Sequence, residues 1–334
     1  MRKISVQNLY LAAVVAASGL LIGYAVWRES VAEAGPRQLG LKDIPFDGTQ
    51  AYEYLKQICD LGPRVSGTAG MQAQQELLLK HFEKFGAETD LQRFKARHPR
   101  DGSAVPMANL IVRWRPDRTE RILLCAHYDT RPFPDRDRVD PQGVFLGAND
   151  GASGVALLME LARHMPELGG ELGVDFALFD GEEFVFGDND EYFLGSTYFA
   201  QEYVARPPRG AYRWAVLLDM VADADLKILQ EVNSLRWADS RPLIESIWST
   251  ARKLGVREFV ARRGHDLRDD HLPLHDIAGL AACDIIDFDY PAWHTRDDTP
   301  ERCSALSLAK VGWVMHEWLK AEVAKPRRRG NRTR

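Results

Sequence analysis

Cysteine is scarce in this chain, with four residues in 334 and no C-x-x-C pair. That excludes a disulfide-dense scaffold and a zinc knuckle. A basic surplus is missing too, since 43 Lys and Arg face 48 Asp and Glu, for a formal charge of −5. The body is more acidic still. Residues 325–334 (KPRRRGNRTR) hold six basic residues and no acidic one, leaving 37 basic against 48 acidic elsewhere. Such a body argues against nucleic acid as a partner, and the basic end reads as a solvated, disordered tail. Internal repeats and interior low-complexity linkers are absent. A composition of 45% hydrophobic and 27% charged residues excludes wholesale disorder.

What is present begins with a segment set apart from the rest. Arg2 and Lys3 precede Leu9 to Trp27, 19 residues without a charge. A helix of that length reaches about 28 Å, close to a bilayer core. The basic flank keeps the N-terminus in the cytoplasm and sends the body to an extracytoplasmic compartment. Ala32-Glu33-Ala34 is an A-x-A site, so cleavage as a secretory signal is the alternative. The length of the apolar run favours an uncleaved anchor. The chain therefore divides into a membrane anchor or signal segment over 1–35, a globular body over 36–324 and the tail over 325–334.

Apolar runs of strand length alternate with helical spacing through the body. Ala108–Trp114, Arg121–Ala126, Val174–Asp180, Trp214–Met220 and Leu280–Phe288 read as strands. Between and around them, Ala51–Leu61, Ala69–Phe85, Gly151–Met165, Ser196–Val204, Ser240–Leu254 and Ser304–Val323 read as helices. The pattern predicts one α/β domain on a largely parallel sheet with helices on both faces. Pro116-Asp117-Arg118-Thr119 predicts a hairpin joining the first two strands.

Imidazole and carboxylate groups fall at or after the carboxyl ends of these strands, the edge where open α/β sheets bind ligands. His127 and Asp129 follow the second strand, Glu182 and Glu183 the third. Asp219 closes the fourth, and His294 follows the fifth; Asp150 opens a helix after a long loop. Two His and several carboxylates in such an arrangement suit Zn²⁺. The spacing lets Asp129 hold the His127 ring through its other nitrogen. Of the Glu pair, one ligates and the other moves protons. Each piece alone is common, and the ordered set is what carries weight.

Taken in order, HYD at 127–129, GANDGASG at 147–154, DGEE at 180–183, LLD at 217–219 and WHT at 293–295 resemble the zinc aminopeptidase superfamily that includes the glutaminyl-peptide cyclotransferases. The resemblance runs from about Leu61 to about Val323. Asp269-Asp270-His271, Trp293 beside His294, and Leu194-Gly195-Ser196 look like the cyclotransferase (glutaminyl cyclase) branch. It implies a three-layer αβα sandwich with a mixed, mostly parallel central sheet. It also implies one zinc held by Asp150, Glu183 and His294, or two if His127 and Asp219 bind a second with Asp150 bridging. Glu182 becomes the general acid/base, Asp219 and Asp269 groups on the substrate or proton path, and Trp293 a pocket wall. Asp129, Asp270 and His271 support these from behind. Animal-type cyclotransferases carry a Trp in the loop after the Glu pair. Here the loop reads FVFGDNDEYF, and the implied pocket role passes to Phe184 or Phe186.

The implied reaction is conversion of an N-terminal Gln to pyroglutamate with loss of ammonia. Its alternatives are two-zinc aminopeptidase hydrolysis and an inactive membrane-anchored binding module. Substrates are peptides or proteins with a free N-terminus. Loop 131–146 reads as a solvated rim, and Asp188, Asp190 and Glu191 as a charged surface loop rather than a calcium clasp. His271 and His275 read as structural, Cys125 and Cys283 as buried strand thiols. Cys59 and Cys303 are the one pair an oxidising compartment would allow to cross-link.

Overall fold

The computed structural model describes residues 38–326. The chain divides into two units, Met1–Gly40 and Leu41–Arg334, and all regular structure described here lies in the second. Two capped helices lead in. Helix α1 (Gly48–Cys59) starts where Asp47 accepts the Gln50 N–H at 2.9 Å. Thr68 caps α2 (Ala69–Lys84) in the same way. Strands β1 (Glu88–Arg97), β2 (Ala104–Trp114) and β3 (Glu120–His127) follow, then α3 (Ser153–Ala162), β4 (Gly173–Phe179), α4 (Leu194–Ala205) and β5 (Ala211–Asp219). Short β6 (Ile228–Gln230) and α5 (Val232–Arg236) precede α6 (Arg241–Leu254), β7 (Phe259–Arg263), α7 (His271–Asp276), β8 (Ala282–Ile286) and the closing α8 (Ala305–Val323).

Six strands form one mixed sheet in the order β1-β2-β4-β3-β5-β8. β4, β3, β5 and β8 run parallel to one another, whereas β1 and β2 join antiparallel at one edge. The expected hairpin is overturned. β4 inserts between β2 and β3, so the turn at 116–119 links two strands that do not pair. A short local turn cannot report a strand that enters the sheet some fifty residues later. β1 was not anticipated because ETDLQRFKAR offers few apolar side chains; it is an edge strand with no fully buried residue.

Side-chain alternation divides the sheet into two faces. Ile111, Leu123, Cys125, Phe179 and Leu217 point toward Phe199 of α4 and Leu274 of α7. On the other face Phe176 and Trp114 meet Phe82 of α2 edge to face, and Trp214 donates to Glu322 of α8 at 3.0 Å. Helix α3 lies so close to that face that a Cβ on Gly154 would fall 2.1 Å from the Leu218 carbonyl oxygen. Helices therefore flank both faces.

Among the described residues no helix is long and apolar enough to cross a membrane; the apolar run 9–27 lies outside the described residues, as do residues 327–334 of the basic tail. All four cysteines are buried and free. The Cys59–Cys303 cross-link is thus not formed, and their segments are tied instead by Tyr52 donating to the Pro300 carbonyl at 2.8 Å. Burial pushes the Cys59 thiol up to about 11, which makes it unreactive.

Candidate metal centre and active site

The carboxyl ends of β3, β4 and β5 meet where the chain reverses its direction of travel across the sheet: from β3 it goes to β4 on one side, then to β5 on the other. Such a switch point leaves a crevice above the strand ends. His127 ends β3 and Asp219 ends β5. Glu182 and Glu183 sit on the turn that follows β4, held by Asp129, whose two oxygens accept the Glu182 and Glu183 N–H groups at 3.1 and 3.0 Å. The expected Asp129–His127 hydrogen bond is absent. The nearest approach to the ring Nδ1 is 3.8 Å, because the Asp129 oxygens are committed to the backbone of the Glu pair.

Asp150 is delivered by the glycine-rich loop. Gly151 turns at φ +97°, and a Cβ there would press within 2.7 Å of the Asp129 carbonyl oxygen, so glycine is required. Beneath the loop, buried Asp298 accepts the Asn149 and Asp150 N–H groups at 2.8 and 3.1 Å and the Tyr290 hydroxyl at 2.8 Å. Among the described residues His294 is one of four non-glycine residues with positive φ, at 57°; Phe193 and Met220, which also line the cavity, are two others. Backbone strain of this kind concentrates where side chains must be aimed against local preference.

Two buried triads with metal-ligand spacing result, and they share Asp150. One is Asp150, Glu183 and His294. The His294 Nε2 lies 3.4 Å from Asp150 Oδ2 and 3.3 Å from Glu183 Oε1. The other is His127, Asp150 and Asp219, with His127 Nε2 3.1 Å from Asp150 Oδ1 and 3.1 Å from Asp219 Oδ1. The residues fit a cation. Asp150 Oδ2 and His294 Nε2, which face each other at 3.4 Å, are buried without a hydrogen-bond partner. Unpaired buried polar atoms are costly, and two aimed at one point are accounted for by an ion. Zinc accepts this imidazole and carboxylate set.

Charge in the site is polarised. Burial and the neighbouring Glu183 push the Glu182 carboxyl well above its usual range. Glu183 moves the opposite way: burial opposes it, but His294 and Arg131 hold it well below. Two adjacent carboxyls with separated proton affinities are what an acid/base and a ligand require. Burial, with Asp219 and Asp270 nearby, raises Asp269 strongly. Burial also raises Asp270 to about 7, although its bond from the Ser196 hydroxyl opposes this. His271 packs behind them, its Nε2 3.2 Å from Glu231.

The cavity above these groups holds about 480 Å³ and is bordered by Glu182, Glu183, Asp219, Asp269, Trp293 and His294. Trp293 walls it, tilted against His294 with ring centroids 4.1 Å apart and covered by the Arg136 guanidinium at 3.9 Å. Phe184 and Phe186 do not border it. They pack away from it with Val105 and Met107 and against His98, and Phe184 faces a separate hollow of about 740 Å³. Tyr192 and Phe193, later in the same loop, take the wall position instead. Periodicity gives no hint of which residue of an irregular loop turns inward.

Several positions that border or brace the site had no local signal: Arg131, Asp135, Tyr192, Phe193 and Asp298. Arg131, Asp135 and Asp298 meet partners distant in sequence, Glu183, His294 and the Asp150 loop. Loop 131–146 is pinned across the site, with Arg136 N–H donating to the His294 carbonyl at 3.1 Å and Arg296 N–H to Asp137 at 3.0 Å.

Residues 109–319 match peptidase family M28. The bovine glutaminyl-peptide cyclotransferase is 25% identical over 341 residues, covering 90% of this chain and 91% of that protein. The crystal structure of Fimbriiglobus ruber glutaminyl cyclase is similar at TM-score 0.79 and 42% identity, covering 86% of this chain and 99% of that one. A leucine aminopeptidase precursor from Bacteroides thetaiotaomicron is similar at TM-score 0.76 and 34% identity, covering 81% and 96%.

Proposed function

The chain belongs to peptidase family M28 and is an enzyme of the glutaminyl cyclase and zinc-exopeptidase kind; from that premise we propose that it is a single-zinc glutaminyl-peptide cyclotransferase. The observation that carries this reading is the contrast between the triads. His127 Nε2 is already hydrogen-bonded to Asp219 at 3.1 Å, whereas His294 Nε2, beside Asp150 and Glu183, makes no hydrogen bond. The Nε2 atom that faces the carboxylates is engaged in one set and free for an ion in the other.

Asp150, Glu183 and His294 would hold the zinc. Bound there, it would supply electrophilic polarisation of a substrate carbonyl. Glu182, buried at the cavity floor with a raised proton affinity, takes the proton from the α-amine of an N-terminal Gln as that nitrogen bonds to the side-chain amide carbon. It returns the proton to the departing nitrogen, so the carbon–nitrogen bond of the amide breaks and ammonia leaves. Asp219 and Asp269 border the same cavity and hold the amine and its proton path. Attack within one molecule makes positioning the main contribution, and a walled cavity that folds the Gln side chain back supplies it. Trp293 and Phe288 exclude water from that wall.

The second reading is a two-zinc aminopeptidase, favoured by the ligand-like spacing of His127, Asp150 and Asp219. Offering Gln-initiated and Leu-initiated peptides separates the two. Ammonia release without residue release supports cyclisation, and free Leu with two zincs per chain overturns it. We further place the activity in an extracytoplasmic compartment, at a membrane through residues 9–27, acting on peptides or proteins with a free N-terminus. Protease accessibility of the body in intact cells tests that placement.

A further inference from the structure

Arg131 is a buried guanidinium that the cyclisation chemistry does not use, with its side chain 5% exposed. It follows the HYDT turn and reaches two partners. One terminal nitrogen, Nη1, donates to Glu183 Oε2 at 2.6 Å. The other edge of the fork grips Asp135, Nε to Oδ1 at 2.9 Å and Nη2 to Oδ2 at 3.1 Å. Asp135 Oδ1 in turn lies 3.4 Å from His294 Nδ1. Behind it, the Tyr192 hydroxyl is 3.5 Å from Nη2. Glu183, Arg131, Asp135 and His294 thus form one arc, whose two ends are ligating groups of the same triad.

A planar guanidinium binds carboxylates in fixed directions, which a flexible ammonium does not. Engaging Glu183 Oε2 leaves Oε1, the oxygen that faces His294, as the one free to ligate. Engaging Asp135 at two points fixes the carboxylate that faces the His294 ring from its far side. Partners of this type, one step removed from the metal, orient ligands and tune affinity. Among the described residues no guanidinium hydrogen-bonds to the other triad, and His127 Nδ1 is without a hydrogen-bond partner.

We propose that Arg131 is a positioning residue that holds Glu183 to single-oxygen ligation and, through Asp135, fixes His294, so that the metal at Asp150, Glu183 and His294 keeps a coordination position open for the substrate carbonyl. The inference rests on the zinc reading above. It makes Arg131 the group that distinguishes the two triads, rather than a rim charge.

The test uses the full chain as wild type, Arg131→Met, Arg131→Lys and Asp135→Asn. Zinc affinity is measured by competition with a chromophoric chelator, and coordination by the visible spectrum of the Co²⁺-substituted proteins. Arg131→Met is expected to weaken zinc binding on the order of 10–100-fold. Its Co²⁺ bands should lose intensity as Glu183 gains a second ligating oxygen and coordination number rises. Arg131→Lys should recover part of the affinity, and Asp135→Asn should lose less than Arg131→Met. Wild-type affinity together with an unchanged Co²⁺ spectrum in Arg131→Met overturns the proposal. So does a lowered melting temperature of the metal-free form with an unchanged spectrum, which is what a purely structural residue would give. If Arg131→Met does not fold, wild-type behaviour of both Arg131→Lys and Asp135→Asn overturns it equally. A wild-type chain that binds no zinc refutes the parent reading instead, which keeps the two failures apart.

Discussion

The two triads that share Asp150 are built from similar residues and differ in what surrounds them. His127 and Asp219 end neighbouring parallel strands and are held 3.1 Å apart by the sheet itself. Glu183 and His294 come from turns, and their positions depend on Asp129, Arg131 and Asp135 and on a left-handed backbone at His294. In the strand-borne pair His127 Nε2 bonds Asp219; in the turn-borne pair His294 Nε2 lies 3.3 Å from Glu183 without a hydrogen bond. Rigid strands bring groups together, and loops braced by charge keep them open. On the single-zinc reading proposed above, that difference separates the metal centre from a hydrogen-bonded pair.

The most severe way to test the contrast removes a ligand from the open set. His294→Ala should abolish both bound zinc, read by elemental mass spectrometry, and ammonia release from Gln-initiated peptides. Retained zinc would place the ion in the other triad. Next comes Glu182→Gln, which keeps shape and leaves Glu183 in place. Turnover should fall by a factor on the order of 10²–10⁴ while zinc content stays at the wild-type level; near-normal kcat would make Glu182 a bystander. His127→Ala addresses the closed set. One zinc per chain should remain, with kcat reduced roughly tenfold through loss of local order, and a drop from two zincs to one would invert the comparison. Smallest is a pair of aromatic changes. Trp293→Ala should raise KM roughly fivefold, equivalent to about 1 kcal/mol of lost contact. Phe184→Leu should leave KM unchanged and cost about 1 kcal/mol in denaturant-measured stability, because it packs with Val105 and Met107 away from the cavity. A KM effect at Phe184 would return it to the pocket wall.

The parallel core of the sheet was legible because its strands are continuous apolar runs bounded by turns. β4 and β5 fall within a few residues of the expected spans. The antiparallel edge was not. β1 alternates polar and half-buried residues in a way that resembles a loop, and the β2–β3 turn looked like a hairpin although β4 separates the two strands. In the site, Asp150, Glu182, Glu183, Asp219, His127 and His294 were visible as candidates, since each chemistry-bearing type stands at a strand end or loop start. Phe184 and Phe186 were misplaced, and Arg131 and Asp135 passed unnoticed in a charged loop.

Sequence by itself determined the α/β alternation, the edge of the sheet that carries the chemistry and the residue types gathered there. These follow from hydrophobic period and from short-range order, which are local properties. Tertiary structure alone decided which carboxylate serves which partner: Asp129 turns to the backbone of the Glu pair, Asp298 holds the Asp150 loop, and Arg131 engages one oxygen of Glu183. The physical reason is that a buried polar group bonds whatever lies within about 3 Å, and the residues that meet there are separated by 52 to 148 positions in the chain.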